Sequence, residues 1–402
     1  MFNSLPLSSI RNIKIFYLLN ILGNAWFVLP NWMFLFGLYL TKSQIGFVDS
    51  LGLLFNIALQ IPSGLISDLF GKKKTLIFGY LCLTVGAITI GLSSSLIGFF
   101  IGNSIGLAGF AFISGAFDAF AYDSLVEIGE EKKYAQVTAK ATSLGIIMSV
   151  VTMFAGGVLF AINPRLPFLV WSAFELAASI ILLFSIEPKI DTETVNIHTA
   201  LEKLKDGMTT IFSVRFRDIL IPILIIVILA KTHQGVVRQS MAVYFTFSGE
   251  TFSYILAITM IPVLFVAHHF DQFYRQLGIQ KLMFIILAGY FVTFVFGTLT
   301  HTIIPGILYF VMIMIGEKLS QQILTVGANE RLASSHRATA LSVLALITQI
   351  PYIVLMFFFA NLTETDQITH LISGFAFVAV LAAVFTAVAK IRRRQQVAQV
   401  KN

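Results

Sequence analysis

Long, nearly uninterrupted apolar segments are the feature that most limits how this chain can fold. Charged residues make up only 12% of the 402 residues and apolar residues 57%, whereas an average soluble domain carries about 25% charged residues. A soluble protein of this length needs a polar surface that such a composition cannot supply. The sequence therefore excludes an ordinary cytosolic enzyme and a secreted domain, and it predicts helices that lie in a lipid bilayer.

Twelve of these segments are long enough to cross the hydrocarbon core, which takes about 20 residues per helix. The residues that remain form short loops and one longer connection. We therefore predict an all-α integral membrane protein with twelve transmembrane helices. The predicted spans are 15–38, 44–68, 75–93, 97–124, 140–161, 166–186, 219–247, 252–270, 282–300, 303–329, 338–360 and 368–389.

The positions of the basic residues agree with the loops that these twelve spans leave between them. If the N-terminus is cytoplasmic, 22 of the 27 Lys and Arg residues fall on the cytoplasmic side, and only Lys42 and Arg165 fall outside. Cytoplasmic loops of membrane proteins carry this excess of positive charge. We therefore predict that both termini are cytoplasmic, and that the net charge of +7 reflects topology rather than binding of nucleic acid. The single Cys82 excludes an intramolecular disulfide and a cysteine metal cluster, and no metal site is predicted.

One long polar stretch divides the spans into six and six. We expect an N-terminal six-helix bundle at 1–186, a cytoplasmic connector at 187–218 and a C-terminal six-helix bundle at 219–402. The two halves contain similar short sequences at equivalent positions. The fifth span of each half begins with KATSLG or RATALS, and the second cytoplasmic loop of each half contains DLFGKKK or RQLGIQK. In duplicated transporters of this kind the substrate binds between the halves near the bilayer midplane.

The loop after the second span, GLISDLFGKKK, combines small and charged residues. Gly64 and Gly71 permit close helix packing or a sharp turn. Asp68 stands at the inner end of the span, and lysines follow it directly. Charges in such a position can form pairs in one conformation of a transporter and lose them in another.

These residues resemble a motif of the major facilitator superfamily. The motif reads Gly-x-x-x-Asp-x-x-Gly-Arg/Lys-Lys, and it is matched by Gly64, Asp68, Gly71, Lys72 and Lys73. The resemblance extends over the whole chain. The sequence around the motif is similar to those of a bacterial branch of the superfamily whose members export drugs or metabolites. It implies the major facilitator fold, the bacterial inner membrane, and a partner for the motif in Asp123 at the inner end of span four. On this basis we expect a gate cluster of Asp68, Lys72 and Asp123.

The chain departs from that branch at two places. Gln60 stands where an acidic residue commonly precedes Ile-Pro, which removes one candidate proton carrier. Span five also lacks the Gly-Pro motif that drug–proton antiporters of the superfamily usually carry. The second departure weakens the assignment as an antiporter but not the assignment as a transporter.

Acidic residues inside the predicted spans are candidates for proton binding. A charge at membrane depth costs roughly 3 kcal/mol or more, so it requires a partner, a cavity or a function. Glu317 is the first candidate, since Gly316-Glu317 is similar to Gly-Glu pairs on span ten of some exporters in the superfamily; Asp118 and Glu175 follow. Alternatively, the acids only neutralise Lys231 or Lys318. The expected energy source is the proton gradient, with no cofactor.

Polar residues at mid-depth are candidates for lining a substrate cavity. Lys231, Gln234 and Arg238 have the spacing i, i+3, i+7 of one helical face, and His233 lies off that face. Such a face could contact an anionic or zwitterionic substrate, or form ion pairs across the halves. Each candidate could equally hold neighbouring helices together. The full set is Asn24, Asn56, Gln60, Lys231, Gln234, Arg238 and Gln349.

No catalytic motif accompanies these residues. The sequence contains no Walker loop and no His-Glu-x-x-His, so no catalytic residue is assigned. We predict a secondary transporter that exports small amphiphilic compounds by proton exchange, working as a monomer with a small-molecule substrate and membrane lipid as its partners. Proton-symport uptake of an organic anion or nutrient is one alternative. A non-transporting membrane sensor or assembly partner is the other.

Overall fold

The computed structural model describes residues 7–188, 214–331 and 334–401, and within them the regular structure is helical. The first part contains α1 (Leu7–Gly23), α2 (Trp32–Phe36), α3 (Lys42–Phe70), α4 (Lys72–Leu92), α5 (Leu96–Val126), a 3₁₀ turn (Glu131–Lys133), α6 (Tyr134–Ile162) and α7 (Leu166–Leu183). The later parts contain α8 (Val214–His233), α9 (Val236–Tyr244), α10 (Gly249–His268), α11 (Phe270–Leu299), α12 (Ile303–Arg331), α13 (Ser334–Phe359), a second 3₁₀ turn (Ala360–Thr363) and α14 (Ile368–Lys401).

The helices confirm an all-α membrane protein but not the count of twelve spans. Among the described residues, nine helices are long and apolar enough to cross a membrane, and two bent pairs raise the number to at most eleven. Several predicted spans agree closely with helices; predicted 97–124, for example, is α5, Leu96–Val126. Most of the predicted connector, residues 189–213, lies outside the described residues.

The first predicted span, 15–38, is not one continuous helix. α1 ends at Gly23, turns follow, and the five-residue α2 begins at Trp32. The side-chain amide of Asn24 donates to the carbonyl of Asn20 at 2.8 Å. Such local hydrogen bonds offer the backbone an alternative to the helix. A hydropathy average over 15–38 does not register this interruption.

The seventh predicted span is broken as well, at Gln234 and Gly235. The axes of α8 and α9 differ by 60° there. Gly235 has a φ of +64° and a ψ of −127°, a conformation that is essentially restricted to glycine. Lys231 and Arg238 therefore lie on different helices, and the prediction that Lys231, Gln234 and Arg238 share one helical face is wrong.

The chain divides into two compact units. Unit 1 comprises residues 1–200 and 249–257, and unit 2 comprises residues 201–248 and 258–402. In unit 1, α4 packs along α5 and α7, and α1 contacts α5, α6 and α7. The packing of α4 on α5 is so close that a Cβ on Gly86 would lie 2.7 Å from the carbonyl oxygen of Gly102. Small residues permit such close approach of helix backbones in membranes.

In unit 2, α8 is surrounded by other helices of the same unit. It contacts α11, α12, α13 and α14, while α11 packs along α12 and α14. Large aromatic side chains fill the space between them, and Tyr290, Tyr309 and Phe294 are fully buried. This arrangement encloses the end of α8 and the start of α9, the segment that carries the charged residues described next.

Candidate functional site

A buried charged cluster joins three helices of unit 2. Glu317 on α12 has only 6% of its surface exposed. One of its carboxylate oxygens pairs with the guanidinium of Arg238 on α9. The other lies 3.2 Å from Nδ1 of His233, the last residue of α8. The break between α8 and α9 therefore brings a cation and an imidazole onto one carboxylate.

His233 is the central residue of this cluster. Its side chain is fully buried, and its second ring nitrogen, Nε2, lies 2.8 Å from the hydroxyl of Tyr309. Neutral imidazole needs one acceptor and one donor, and imidazolium donates from both nitrogens. Glu317 can accept from Nδ1, and the Tyr309 hydroxyl can either donate or accept. His233 can therefore gain or lose a proton without losing a hydrogen bond.

Lys231 belongs to the same electrostatic environment. It lies two residues before His233, and it interacts electrostatically with both Glu317 and Arg238. In the parts of the chain that the structure describes, its ammonium makes no ion pair. The cluster thus combines two cations, Lys231 and Arg238, with one carboxylate. Gln234 is half-buried at the break, and Gln349 is half-buried on α13.

Tyrosine hydroxyls hold the backbone around the cluster. The hydroxyl of Tyr352 on α13 accepts the N–H of Val236 at 3.2 Å, immediately after the break. On the other side, the hydroxyls of Tyr290 and Ser320 lie 2.9 Å apart. These bonds fix α9 and α12, the two helices that carry Arg238 and Glu317.

A second cluster lies where α3 and α4 meet in unit 1. Lys72 and Asp123 form a salt bridge with both side chains largely buried. The carboxylate of Glu187 accepts the backbone N–H groups of Lys72 at 2.6 Å and Lys73 at 3.0 Å. These are free donors in the first turn of α4, where an anion is favoured. Two of the three predicted gate residues, Lys72 and Asp123, are thus in contact.

Asp68, the third predicted gate residue, is outside this contact. It is exposed in the last turn of α3, and the described residues provide no ion-pair partner for it. Gly64, also of the motif, has no atom within 4 Å of the place where its Cβ would be. Gly71 has a φ of +96°, and a Cβ there would lie 2.7 Å from the Glu187 carboxyl group. Glu187 was not among the predicted site residues, and its one signal in the sequence is that it is an acid directly after span six.

Two further side chains link this cluster to neighbouring helices. The ammonium of Lys73 donates to the carbonyls of Leu183 at 2.9 Å and Ser185 at 2.7 Å, where α7 ends. On α1, the Asn12 amide donates to the Ser124 hydroxyl at 3.0 Å and exchanges hydrogen bonds with the backbone of Ile186. The motif lysines and Asn12 together therefore connect α1, α4, α5 and the segment after α7.

The other two candidate acids have contrasting environments. Asp118 on α5 is exposed on the surface of the protein and hydrogen-bonds Tyr134. Glu175 on α7 is 1% exposed and is hydrogen-bonded by Trp171. Its Oε2 has no hydrogen-bond partner among the described residues.

The remaining cavity candidates form hydrogen bonds within unit 1. Asn56 on α3 donates to the carbonyl of Leu107 on α5 at 2.7 Å, which is a helix-to-helix contact. Gln60 donates to Asn56 at 3.0 Å. Asn24, in the turn after α1, donates to the carbonyl of Asn20, and its own carbonyl accepts the Ser149 hydroxyl at 3.0 Å. Among the described residues, no group of three or more His, Cys, Asp or Glu side chains could hold a metal ion.

Sequence comparisons connect the chain to transporters. The model of the Major Facilitator Superfamily matches residues 15–356. An uncharacterised MFS-type transporter of Methanocaldococcus jannaschii is 27% identical over 196 residues, 43% of this chain and 45% of that protein. The chain thus matches less than half the length of that relative. Multidrug resistance protein 2 of Bacillus subtilis is 22% identical over 317 residues, 76% of this chain and 77% of that protein.

Solved structures show a similar fold. The nucleoside transporter NupG has a TM-score of 0.74 at 15% identity, covering 96% of this chain and 99% of its own. A POT family transporter in complex with 5-aminolevulinic acid has a TM-score of 0.68 at 14% identity, covering 97% of both chains. At these identities the likeness concerns the fold alone.

Proposed function

The chain belongs to the major facilitator superfamily, and on this premise we propose that it is a secondary active transporter that exchanges small amphiphilic compounds for protons by alternating access. It is a multi-pass membrane transporter rather than an enzyme. We assign it to the bacterial inner membrane, with the proton gradient as its energy source. Each charge that crosses gains about 2.3 kcal/mol per 100 mV.

The observation that supports proton coupling most is the contact of Glu317 with both Arg238 and His233. A buried carboxylate that loses its cationic partner is left uncompensated, which costs several kcal/mol. Binding of a proton removes that cost. A conformational change that separates Arg238 from Glu317 would therefore be coupled to proton uptake, and His233 offers a neighbouring proton-binding group.

Export is the proposed direction because curated relatives carry the name multidrug resistance protein. Uptake of an organic anion by proton symport is the second candidate, and the excess of cations over carboxylates at Lys231, Arg238 and Glu317 favours it. The third hypothesis is a non-transporting membrane sensor or assembly partner, and it predicts no flux of substrate.

Reconstituted vesicles with an imposed proton gradient distinguish these candidates. A proton exchanger accumulates substrate inside vesicles whose lumen is more acidic than the outside. A proton symporter accumulates substrate inside vesicles whose outside is more acidic than the lumen. We expect Glu317→Gln to abolish accumulation against a gradient in either case. Glu364→Gln, an acid in the segment between α13 and α14, serves as the matched control and should accumulate substrate like the unchanged protein. Proton-driven accumulation that Glu317→Gln leaves intact would contradict the proposal.

A further inference from the structure

Among the described residues, the charged cluster of unit 2 contains a buried donor without an acceptor and more cations than carboxylates. Arg238 is more than nine-tenths buried. Its guanidinium uses Nη2 for Glu317, and its Nε–H has no acceptor among the described residues. A buried donor left without a partner is destabilising. The site therefore lacks an acceptor on the Nε side of Arg238.

Charge balance indicates what kind of acceptor would fit. With neutral His233, the cluster of Lys231, Arg238 and Glu317 carries a net charge of +1. Net charge at membrane depth is costly unless it is compensated. One negative charge near Lys231 and Arg238 would bring the cluster to neutrality, whereas a cationic ligand would raise its charge to +2.

From these observations we propose that unit 2 binds the carboxylate of an amphiphilic, singly charged organic acid, with Arg238 Nε and the Lys231 ammonium as its donors. Arginine binds carboxylates through two parallel N–H donors, and Nε is the one left free beside Glu317. This inference rests on the proposed function, because it names the substrate class of the same transporter.

Binding to the purified, full-length protein tests the proposal directly. The probes are aromatic and aliphatic monocarboxylic acids, each paired with its neutral amide and with the amine of matching carbon skeleton, and the readout is the dissociation constant from calorimetry. We expect acids to bind more tightly than their amides by roughly ten- to a hundredfold, the range of one charge-assisted hydrogen bond. Amines should bind more weakly than both.

Two lysine variants make the result specific to the site. Lys231→Gln should reduce the preference for acid over amide by roughly tenfold, because Arg238 is then the one charged donor left to the carboxylate. Lys318→Gln removes a neighbouring half-buried lysine on α12 and should retain the preference. Lys231→Arg keeps the positive charge and should also retain the preference for acid over amide. This variant therefore separates the effect of losing the charge from the effect of altering the side chain.

Four results would overturn the proposal: equal binding of acids and amides, tighter binding of amines, unchanged acid preference in Lys231→Gln, or no binding by any acid. Failure of the proposed function gives a different pattern, since acids would then bind but move no protons in the vesicle assay. Conversely, proton-coupled flux of compounds without acid preference would leave the transporter assignment intact and refute the carboxylate site.

Discussion

The hydroxyl of Tyr352 occupies the space that a side chain on residue 235 would need. A Cβ on Gly235 would lie 2.2 Å from that oxygen, while the same oxygen accepts the N–H of Val236. The bend between α8 and α9 is thus held by a contact from α13 as well as by the backbone of Gly235. Because the bend brings His233 and Arg238 to Glu317, Tyr352 acts as a positioning residue for the charged cluster.

Gly235→Ala is expected to destabilise unit 2. The alanine would have to adopt a φ near +64° beside the Tyr352 hydroxyl, and strain of this kind costs about 1–3 kcal/mol. Thermal unfolding in detergent should show a lower midpoint. Gly289→Ala on α11, where no atom lies within 4 Å of the added Cβ, is the control and should unfold like the original. Equal midpoints for the two variants would refute this account of the bend.

His233→Gln is expected to separate proton coupling from substrate movement. The amide can form at most part of the hydrogen bonding to Glu317 and Tyr309, and it cannot gain a proton. We expect loss of accumulation against a proton gradient, with substrate counterflow between equal-pH compartments retained. His370→Gln, an exposed histidine on α14, should keep both activities. Full gradient-driven accumulation in His233→Gln would show that the imidazole takes no part in coupling.

Replacing one partner of the Lys72–Asp123 salt bridge should lower stability and transport more than replacing both partners. A buried pair that loses one partner typically costs about 3–5 kcal/mol. We therefore expect Lys72→Met and Asp123→Leu to lower stability and transport strongly, and the double variant to recover part of the loss. Lys74→Met, an exposed neighbour, should have little effect. Strictly additive losses in a double-mutant cycle would argue that the two charges act independently.

Glu187→Ala should weaken the start of α4. The carboxylate accepts two backbone N–H groups there, and a comparable helix cap contributes about 1 kcal/mol. The unfolding midpoint should fall, with a smaller decrease for Glu187→Gln, whose amide oxygen still accepts. Glu364→Ala is a control in unit 2. An unaltered midpoint in Glu187→Ala would mean that water satisfies these donors equally well.

Glu175→Gln should leave folding intact. The side chain is fully enclosed and one carboxyl oxygen has no partner, so an uncharged amide of the same shape suits the site. If instead the unfolding midpoint of Glu175→Gln drops by several degrees, the carboxylate is an essential structural ion. Transport in the same variant then tests separately whether Glu175 carries protons.

Much of the helical scaffold could be predicted from hydropathy, because burial in lipid demands long apolar segments and a backbone bonded within itself. The contact of Lys72 with Asp123 was also expected, because the resemblance to the superfamily motif implied a partner for the motif at the inner end of span four. The interruptions after Gly23 and at Gly235 were not expected. They depend on side-chain bonds and on one glycine conformation, which an average over about 19 residues does not register.

The role of His233 in the charged cluster was not predicted either, because it depends on the bend at Gly235. On a straight helix it lies away from Lys231 and Arg238, and only the bend turns it toward Glu317, 84 positions later in the sequence. Glu187 likewise reaches the start of α4 from 115 positions away. Contacts over such distances follow from tertiary packing, and the local spacing of residues does not encode them.

The 60° angle between α8 and α9 also has a consequence for the lipid around unit 2. A straight helix over the 24 residues 221–244 would be about 36 Å long, more than the roughly 30 Å of hydrocarbon. Tilting the nine residues of α9 by this angle shortens their projection by about half, to around 7 Å, and the segment then extends about 29 Å. A bilayer with a hydrocarbon core near 30 Å should therefore match this segment better than a thicker one, so acyl-chain length becomes a variable that activity measurements have to control.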